Sequence, residues 1–217
     1  QIDTTNVEAM ERAMRIYNGK ALINSVNGKQ EVMEQIFPLV KKYGGTVIAL
    51  TIDEEGIPTT AEGRLAVAKK IVETAATYGI PKKDLVVDVL AMTISAEQEA
   101  AEVTLKSLEL IRDELGMYTS LGVSNISFGL PQRENVNTAF FTMAMQNGLS
   151  GAIINPNSKP MMAAYYSYCA LIGVDEQCMD YISVYANQSS PTAAPQTTAN
   201  QMSLTEAIIK GLKESAH

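Results

Sequence analysis

The chain has 217 residues, of which 46% are hydrophobic and 19% are charged, and its formal net charge is -7. This length supports one domain with a sizeable core, and the acidic balance argues against a general nucleic-acid binder, which is usually basic. No run of 18 or more apolar residues is present, so the sequence predicts no membrane-spanning helix. Two cysteines without metal-ligand spacing and a single histidine predict reduced thiols, no bound metal and a cytoplasmic location.

Short apolar runs alternate with longer helical patterns along most of the chain. The predicted strands are Gln1–Asp3, Ala21–Val26, Thr46–Ile52, Leu85–Leu90, Ser120–Ser127 and Ala152–Asn155. The predicted helices are Val7–Tyr17, Glu31–Tyr43, Ala61–Tyr78, Ala96–Leu115, Glu134–Gln146 and Lys159–Leu171. Apolar strands that alternate with helices are typical of βαβ units and of a parallel sheet buried on both faces.

Each predicted strand delivers a carboxylate or an amide at its C-terminal end. An open, doubly wound sheet places its ligand at one switch point, whereas a barrel collects residues from all its strands at one mouth. The distribution therefore favours an α/β fold of the (β/α) barrel type, with six of the eight strands. The residues at the strand ends are Asp3, Asn24, Asp53, Asp88, Ser124 with Asn125, and Asn155.

The composition changes after residue 186. Residues 187–203 are rich in Ser, Thr, Ala, Pro and Gln and carry no charge, which is typical of a linker. Residues 204–217 then predict an amphipathic helix, with a capping box formed by Ser203 and Glu206. The predicted organisation is a partial barrel over residues 1–186, the linker, and the first helix of a following module.

Two polar residues interrupt apolar runs. A buried polar group must be paired or it costs free energy, so Asn125 either caps and turns the chain or reaches toward a ligand. Asp88 lies within the apolar run Val86–Leu90, where a carboxylate is rarely buried without a partner, and this favours a functional role.

Three other candidates keep structural alternatives. Asp3 either caps the helix at Val7 or binds a ligand, and Asn24 is either a turn residue or a ligand-binding amide. Arg133 either pairs with a local carboxylate at the start of its helix or takes part in the site.

The chemistry at these positions is that of carboxylates, amides and hydroxyl groups. The chain has no internal histidine, no Gly-rich phosphate loop and no CxxC, which argues against Ser–His or Cys–His catalysis and zinc hydrolysis. A carboxylate accepts two parallel N–H bonds from a 2-amino-4-oxo ring, and an Asn side chain donates and accepts at once. The set therefore suits a flat heterocycle.

Five segments, in this order, resemble the methyltetrahydrofolate-binding domain of cobalamin-dependent methionine synthase and, equally, the stand-alone methyltetrahydrofolate:corrinoid methyltransferases. They are IDTTNVEAMERAM, ALINSVNGKQE, LTIDEEGIPTTAEGRLAVA, LVVDVL and LGVSNISFGLPQRENVNTAFF. The resemblance covers about residues 1–186 and implies a pterin-binding TIM barrel that is present here without its first two strands. The helix predicted after the linker is similar to the opening helix of the cap of a cobalamin-binding module.

The resemblance also implies residue roles and a reaction. The N5 methyl group of methyltetrahydrofolate passes to the Co(I) of a corrinoid carried by a partner module or corrinoid protein. Asn125 matches the residue beside N5, and the proton that N5 acquires is expected to arrive through water, since no strong general acid is visible. The implied pterin-binding residues are Asp3, Asn24 and Asp88, with Ser124, Arg133 and Asn155 as further candidates.

Two rival functions remain, and the exposed edges of the sheet raise the question of how the barrel is closed. Dihydropteroate synthase shares part of the pattern but normally carries a Ser-Arg-Lys-type motif where this chain has SNISFGLP, which argues against it. A non-catalytic domain that presents folate to a corrinoid partner is the other rival, and Asn125 favours the enzyme. The exposed edges of a partial barrel are templates for strand pairing. We therefore expect a second chain or a separate N-terminal piece there, and sedimentation showing only monomer would count against this.

Overall fold

The computed structural model describes residues 1–186, in which six parallel strands form one sheet in the order of the chain. The strands are β1 (Ile2–Asp3), β2 (Leu22–Asn27), β3 (Thr46–Leu50), β4 (Leu85–Asp88), β5 (Tyr118–Gly122) and β6 (Gly151–Ile153). The helices are α1 (Val7–Ile16), α2 (Gln30–Tyr43), α3 (Ala61–Thr77), α4 (Ala100–Leu110), α5 (Arg133–Gln146), α6 (Lys159–Leu171) and α7 (Met179–Tyr185). Each strand pairs with its neighbours in sequence, as in a barrel and unlike a doubly wound sheet, so the predicted barrel fragment is confirmed.

Several helices begin or end at residues suited to those positions. Asn6 caps α1 by accepting a hydrogen bond from the Ala9 N–H at 2.9 Å, and Thr60 caps α3 by accepting one from the Gly63 N–H at 3.1 Å. Gly44 ends α2 with φ at 74°, a conformation that glycine adopts without steric cost. These local signals place each helix so that the following strand can return to the sheet.

The hydrophobic core lies between the sheet and the helices. Alternate residues of the central strands face the helices and are fully buried, as expected from the two-residue period of a strand. They pack with apolar side chains of the helices in one contiguous cluster. The strand members of that cluster include Ile23, Val47, Ala49, Leu85, Val87 and Leu121.

The opposite face of the sheet is concave and is the interior of the barrel. Register pairing joins Asn24 to Ile48, Ile48 to Val86, and Val86 to Tyr118, so these four side chains form one row across that face. A cavity of about 370 Å³ opens on it. Tyr118 is 63% exposed there, because the sheet of the described residues ends at β1 and β6 and does not close around it.

The structure corrects two boundaries predicted from the sequence and adds one helix. β5 ends at Gly122, and Val123–Ser127 forms a 3-10 turn where a strand was predicted as far as Ser127. The buried residues of this turn are Val123, Ile126 and Ser127, a helical spacing that the sequence analysis interpreted as a strand. α4 begins at Ala100 and not at residue 96, and α7 was not predicted at all.

α4 continues as a π-helical turn over Ile111–Leu115, which ends at the predicted residue, and the other predicted element boundaries agree with the structure within two residues. The linker predicted at residues 187–203 and the helix predicted at 204–217 lie outside the described residues. Among helices within residues 1–186, none combines the length and apolar character needed to cross a membrane.

A matched pair of isoleucines tests the position of the core. Ile71 in α3 is fully buried, whereas Ile16 at the end of α1 is 83% exposed. Ile71→Ala should lower the free energy of unfolding by about 2–5 kcal/mol, since it leaves a cavity, and Ile16→Ala should change it by less than about 0.5 kcal/mol. Urea denaturation of the two variants measures both values, and equal losses would contradict the packing described above.

Candidate functional site

The ends of β1 and β2 bring two of the predicted site residues side by side. Asp3 and Asn24 are register partners on adjacent parallel strands, so their backbones lie about 4.8 Å apart. Neither side chain makes a hydrogen bond to another described residue, and Asp3 is exposed. Because Asn6 caps α1, the capping alternative for Asp3 does not hold, and Asn24 lies within β2 and not in a turn.

Asp88 ends β4 and is 7% exposed. Its Oδ1 accepts a hydrogen bond from the Leu90 N–H at 2.8 Å, while Oδ2 has no hydrogen-bond donor among residues 1–186. Burial raises the pKa of Asp88 to about 6, although the Leu90 N–H and the positive charge of Arg64 act in the opposite direction. The site thus contains a buried carboxylate with one oxygen left for a ligand.

These three side chains lie on one face of the sheet. The row that starts at Asp3 continues through Asn24 and Ile48 to Val86. Asp88 follows Val86 by two residues, and residues two apart on a strand point to the same face. All six strands are parallel, so their carboxyl ends lie at one edge, and Asp3, Asn24 and Asp88 share the concave face at that edge.

Sequence analysis missed a fourth residue of this region, Arg64 in α3. Its side chain is 1% exposed, and it donates hydrogen bonds to the Val89 and Leu90 carbonyls at 2.9 and 2.8 Å. A signal was available, because Arg64 falls between Ala61 and Ala68 on the buried stripe of its helix. A cation at such a position is buried, and burial calls for hydrogen-bond acceptors.

Asn125 lies in the turn after β5, at the same edge of the sheet. Its side chain is exposed, makes no hydrogen bond within the described part of the chain, and packs over Gly122. A Cβ atom at Gly122 would lie 3.0 Å from the Asn125 Nδ2, so the glycine allows the amide to approach the strand closely. The amide is therefore placed by backbone geometry and keeps its donor and acceptor atoms free.

Arg133 at the start of α5 holds this turn from one side. Its Nη2 donates to the Ser124 carbonyl at 2.7 Å and its Nε donates to the Ser127 Oγ at 3.0 Å. The guanidinium also lies 4.4 Å from the centre of the Phe128 ring. Arg133 thus pairs with the turn and not with a local carboxylate, while its direct contact with a pterin stays a prediction.

The loop after β4 holds the same turn from the other side. The Ile94 N–H donates to the Ile126 carbonyl at 3.0 Å, and the hydroxyl groups of Thr93 and Ser95 each donate to the Phe128 carbonyl at 2.7 Å. The segment that carries Asn125 is therefore fixed to the segment that follows Asp88.

The two remaining predicted site residues, Asn155 and Ser124, make only local contacts in the structure. Asn155 is exposed, and its Oδ1 accepts a hydrogen bond from the Asn157 N–H at 3.0 Å, which forms a turn before α6. The Ser124 hydroxyl makes no hydrogen bond to residues 1–186, although its carbonyl binds Arg133. Ligand contacts of both residues stay predictions. Within this part of the chain no group of three or more acidic, cysteine or histidine side chains could hold a metal ion.

A barrel whose mouth presents a buried carboxylate and free amides defines an α/β enzyme that binds a small polar ligand. Residues 1–155 match the family described as pterin binding enzyme, and the chain belongs to this family. The family resemblance found in the sequence is therefore confirmed.

The relatives found by sequence include the two kinds of enzyme that the sequence resembled. A methylcorrinoid:tetrahydrofolate methyltransferase of Eubacterium limosum is 31% identical over 187 residues, which cover 85% of this chain and 69% of that protein. Methionine synthases of Mycobacterium leprae and Mycobacterium tuberculosis are each 30% identical over 167 residues, 71% of this chain. The chain spans 14% of the length of each methionine synthase.

A solved structure supports the fold. Dihydropteroate synthase from Clostridium difficile, determined in the presence of pteroic acid, superposes with a TM-score of 0.60 over 78% of this chain and 66% of that chain. Its sequence identity is 18%, so the likeness concerns the barrel architecture alone.

The raised pKa of Asp88 predicts how stability depends on pH. The folded-state pKa is about 6, against about 3.9 for an unfolded Asp. Stability held by the protonated carboxyl is fully present below about pH 4 and is lost as the pH rises through about 6, by about 3 kcal/mol in all. Asp88→Asn should remove this loss, so the stability of the variant relative to the parent chain should rise between about pH 4 and 6 and stay constant above.

Urea denaturation at several pH values measures this difference. The exposed Asp113→Asn variant is the control for removing one negative charge. Arg112 lowers the pKa of Asp113, so that variant should not gain stability as the pH rises. If the free energy of unfolding of the parent chain and of Asp88→Asn changed with pH in the same way, burial would not raise the pKa of the Asp88 carboxyl group.

Proposed function

We propose that this site binds the pterin ring of a reduced folate and that the chain transfers a methyl group between folate N5 and the cobalt of a corrinoid. The observation that carries the proposal is the state of Asp88, a buried carboxylate with an unpaired Oδ2 at the mouth of the barrel. It shares its face of the sheet with Asp3 and Asn24. The names of the relatives support the same chemistry.

The pterin ring matches the needs of this carboxylate. A 2-amino-4-oxo ring presents two parallel N–H donors, and an ionised carboxylate accepts both in the geometry of an Arg fork. The ligand thereby replaces the water hydrogen bonds that burial has removed from Asp88, and binding offsets the cost of keeping it ionised. Asn24 can donate to one ring atom and accept from its neighbour, and Asp3 adds a further acceptor beside it.

Asn125 is the proposed catalytic residue. When the bond between the methyl carbon and N5 breaks, N5 keeps the bonding electron pair and takes up a proton. The side-chain oxygen of Asn125 then accepts a hydrogen bond from the new N5–H, an interaction that strengthens as the reaction advances. The corrinoid supplies the cobalt that receives the methyl group. The free amide of Asn125, on a turn fixed from both sides, supports this role.

The proton on N5 is proposed to come from water. Arg133 is the charged side chain that binds the turn of Asn125, and an arginine does not release its proton at ordinary pH. Asn125 is exposed, so water reaches it. A water molecule at this position serves as the proton donor without a protein acid.

The same site serves both directions of transfer. The relative from Eubacterium limosum is named for transfer from a methylcorrinoid to tetrahydrofolate, the reverse of the reaction that the sequence implied. The bond made or broken at N5 is the same, so the groups that stabilise the transition state are also the same. The direction is decided by the corrinoid partner and by the acceptor that follows it.

The proposal extends to partners and location. A cobalamin-binding module or corrinoid protein carries the cobalt, and residues 204–217 are proposed as the first helix of such a module. The methyl group on the cobalt is then used for methionine synthesis. The cysteines Cys169 and Cys178 are free thiols, which fits a cytoplasmic protein.

Two other functions are kept as alternatives. A dihydropteroate synthase-like enzyme is favoured by the shared architecture. A non-catalytic pterin-binding domain would need the carboxylate but not the amide of Asn125. Transfer of methyl to free cobalamin, followed by the change in cobalt absorbance, distinguishes methyl transfer from both.

Asp88→Ala should abolish most pterin binding. Loss of two charge-assisted hydrogen bonds removes about 1–3 kcal/mol or more, so the Kd for methyltetrahydrofolate should rise about tenfold or more. In the parent chain binding should tighten as the pH rises from about 5.5 to 7, because the ionised carboxylate is the form that accepts both N–H groups. Isothermal titration across this range measures both effects.

The matched control for that titration is Asp113→Ala, which removes an exposed carboxylate outside the site. It should keep the parental Kd and pH profile. An unchanged Kd in Asp88→Ala would assign Asp88 a structural role and would refute pterin binding at this edge of the sheet.

Asn125→Ala separates chemistry from binding. Its partner N5–H exists only as the methyl group leaves, so the variant should slow methyl transfer by about tenfold to a hundredfold. The Kd for methyltetrahydrofolate should change by less than about threefold. Stopped-flow absorbance of the cobalt measures the rate, and titration measures the Kd.

Asn18→Ala removes an exposed amide in the turn after α1 and should leave rate and affinity unchanged. Equal losses of binding and rate in Asn125→Ala would place the amide among the ground-state contacts. A loss of stability with an unchanged rate would make it a turn residue only.

A further inference from the structure

Arg64 is a buried cation without a carboxylate partner. It forms no salt bridge among residues 1–186, yet its side chain is 1% exposed. Burial lowers the pKa of Arg64, while the negative charges of Glu97 and Asp88 act in the opposite direction. Burying an unpaired cation is costly, and helix packing alone would be served better by an apolar side chain of similar volume.

The hydrogen bonds of Arg64 converge on the turn after Asp88. Its Nη1 donates to the Val89 and Leu90 carbonyls at 2.9 and 2.8 Å, and its Nε donates to the Pro58 carbonyl at 3.0 Å. Thr104 of α4 binds the same carbonyl, with its Oγ1 3.2 Å from the Leu90 oxygen. Arg64 thus binds the carbonyl groups on both sides of Leu90, and the Val89 carbonyl belongs to the same peptide group as the Leu90 N–H.

Leu90, the residue between these two carbonyl groups, has an unfavourable backbone conformation. Leu90 has φ of +65°, in the left-handed region that a branched side chain rarely adopts. A non-glycine residue stays there only when its surroundings hold it. The N–H of this residue donates a hydrogen bond to Asp88 Oδ1 at 2.8 Å.

We propose that Arg64 is a positioning residue for the pterin site, which acts by holding the Val89 carbonyl so that the N–H of the same peptide group, that of Leu90, orients the Asp88 carboxylate. The inference rests on the proposed function, because Asp88 is the residue that it serves. The Leu90 N–H occupies Oδ1 and leaves Oδ2 directed to the ligand. It also stabilises the ionised form that accepts the pterin N–H groups.

A role confined to stability predicts a different result. If Arg64 only joined α3 to the loop after β4, its replacement by the equally charged Lys would lower the free energy of unfolding and leave the Asp88 pKa and folate affinity of the folded protein unchanged. Two charge effects enter the test: the positive charge of Arg64 lowers the pKa of Asp88, and the negative charge of Glu97 raises the pKa of Arg64.

The test compares Arg64→Lys and Arg64→Met with Arg12→Met, an exposed arginine of α1. Arg64→Met removes every donor, whereas Arg64→Lys keeps the charge and reaches one carbonyl at most. The Kd for methyltetrahydrofolate should rise about tenfold in Arg64→Met and less in Arg64→Lys. The pH midpoint of binding should move up by about one unit in Arg64→Met, as the ionised form of Asp88 loses its support. Arg12→Met should match the parent chain.

A double-mutant cycle shows whether the effect passes through Asp88. In an Asp88→Asn background, Arg64→Met should weaken folate binding by less than about twofold, because the carboxylate through which it acts is gone. Additive losses would overturn the inference. The inference would also be overturned if Arg64→Lys folded and kept the parental pH midpoint and Kd, or if Arg64→Lys failed to fold. Either result would show that the guanidinium contributes only to stability.

A readout without ligand separates this inference from the proposed function. Carbon-13 NMR of the Asp88 carboxyl group, assigned by its loss in Asp88→Asn, should show a higher pKa in Arg64→Lys than in the parent chain. A shifted pKa in a protein that binds no folate would refute the function and retain the positioning role. Folate binding with an unshifted Asp88 pKa in Arg64→Lys would support the proposed function and refute the positioning role.

Discussion

The hydrogen bond from the Leu90 N–H to the Asp88 carboxylate spans 2.8 Å, and the leucine that donates it adopts a left-handed conformation. It satisfies one oxygen of a carboxylate that the sheet has withdrawn from water and leaves the other without a donor among residues 1–186. A carboxylate in this state is stabilised by any ligand that brings parallel N–H groups to it. The buried guanidinium of Arg64 is the counterpart of this arrangement, since it binds the Val89 carbonyl, which belongs to the same peptide group as the Leu90 N–H.

The rest of the mouth follows from the parallel sheet. Six strands in chain order bring their carboxyl ends to one edge, and short turns there carry polar side chains without disturbing the core behind them. The turn that holds Asn125 is fixed by Arg133 on one side and by the segment Thr93–Ser95 on the other. Rigid backbone with free amide and carboxylate atoms is the arrangement that preorganises a site, because little reorganisation is left for the moment of reaction.

The concave face combines a polar edge with an apolar floor. Asp3, Asn24 and Asp88 lie at the carboxyl ends of their strands, while Ile48 and Val86 belong to the same face behind them. Tyr118 remains largely exposed, and β1 and β6 each have one neighbour in the described sheet. Exposed apolar side chains beside strand edges that have no partner among residues 1–186 are surfaces to which additional polypeptide can pair.

Local patterns in the amino-acid sequence were enough to predict the alternation of strands and helices, the polar residues at the strand ends and the family. These are local patterns, since hydrophobic periodicity and capping depend on residues a few positions apart. The strand assigned to residues 123–127 was wrong because their burial has a helical spacing that an apolar run does not reveal. Only the tertiary structure placed Arg64 under the Leu90 peptide, 26 residues away in sequence, and Ser95 against the Phe128 carbonyl, 33 residues away. Hydrogen bonds of this range form after the barrel has brought separate elements together, and no pattern within one segment encodes them.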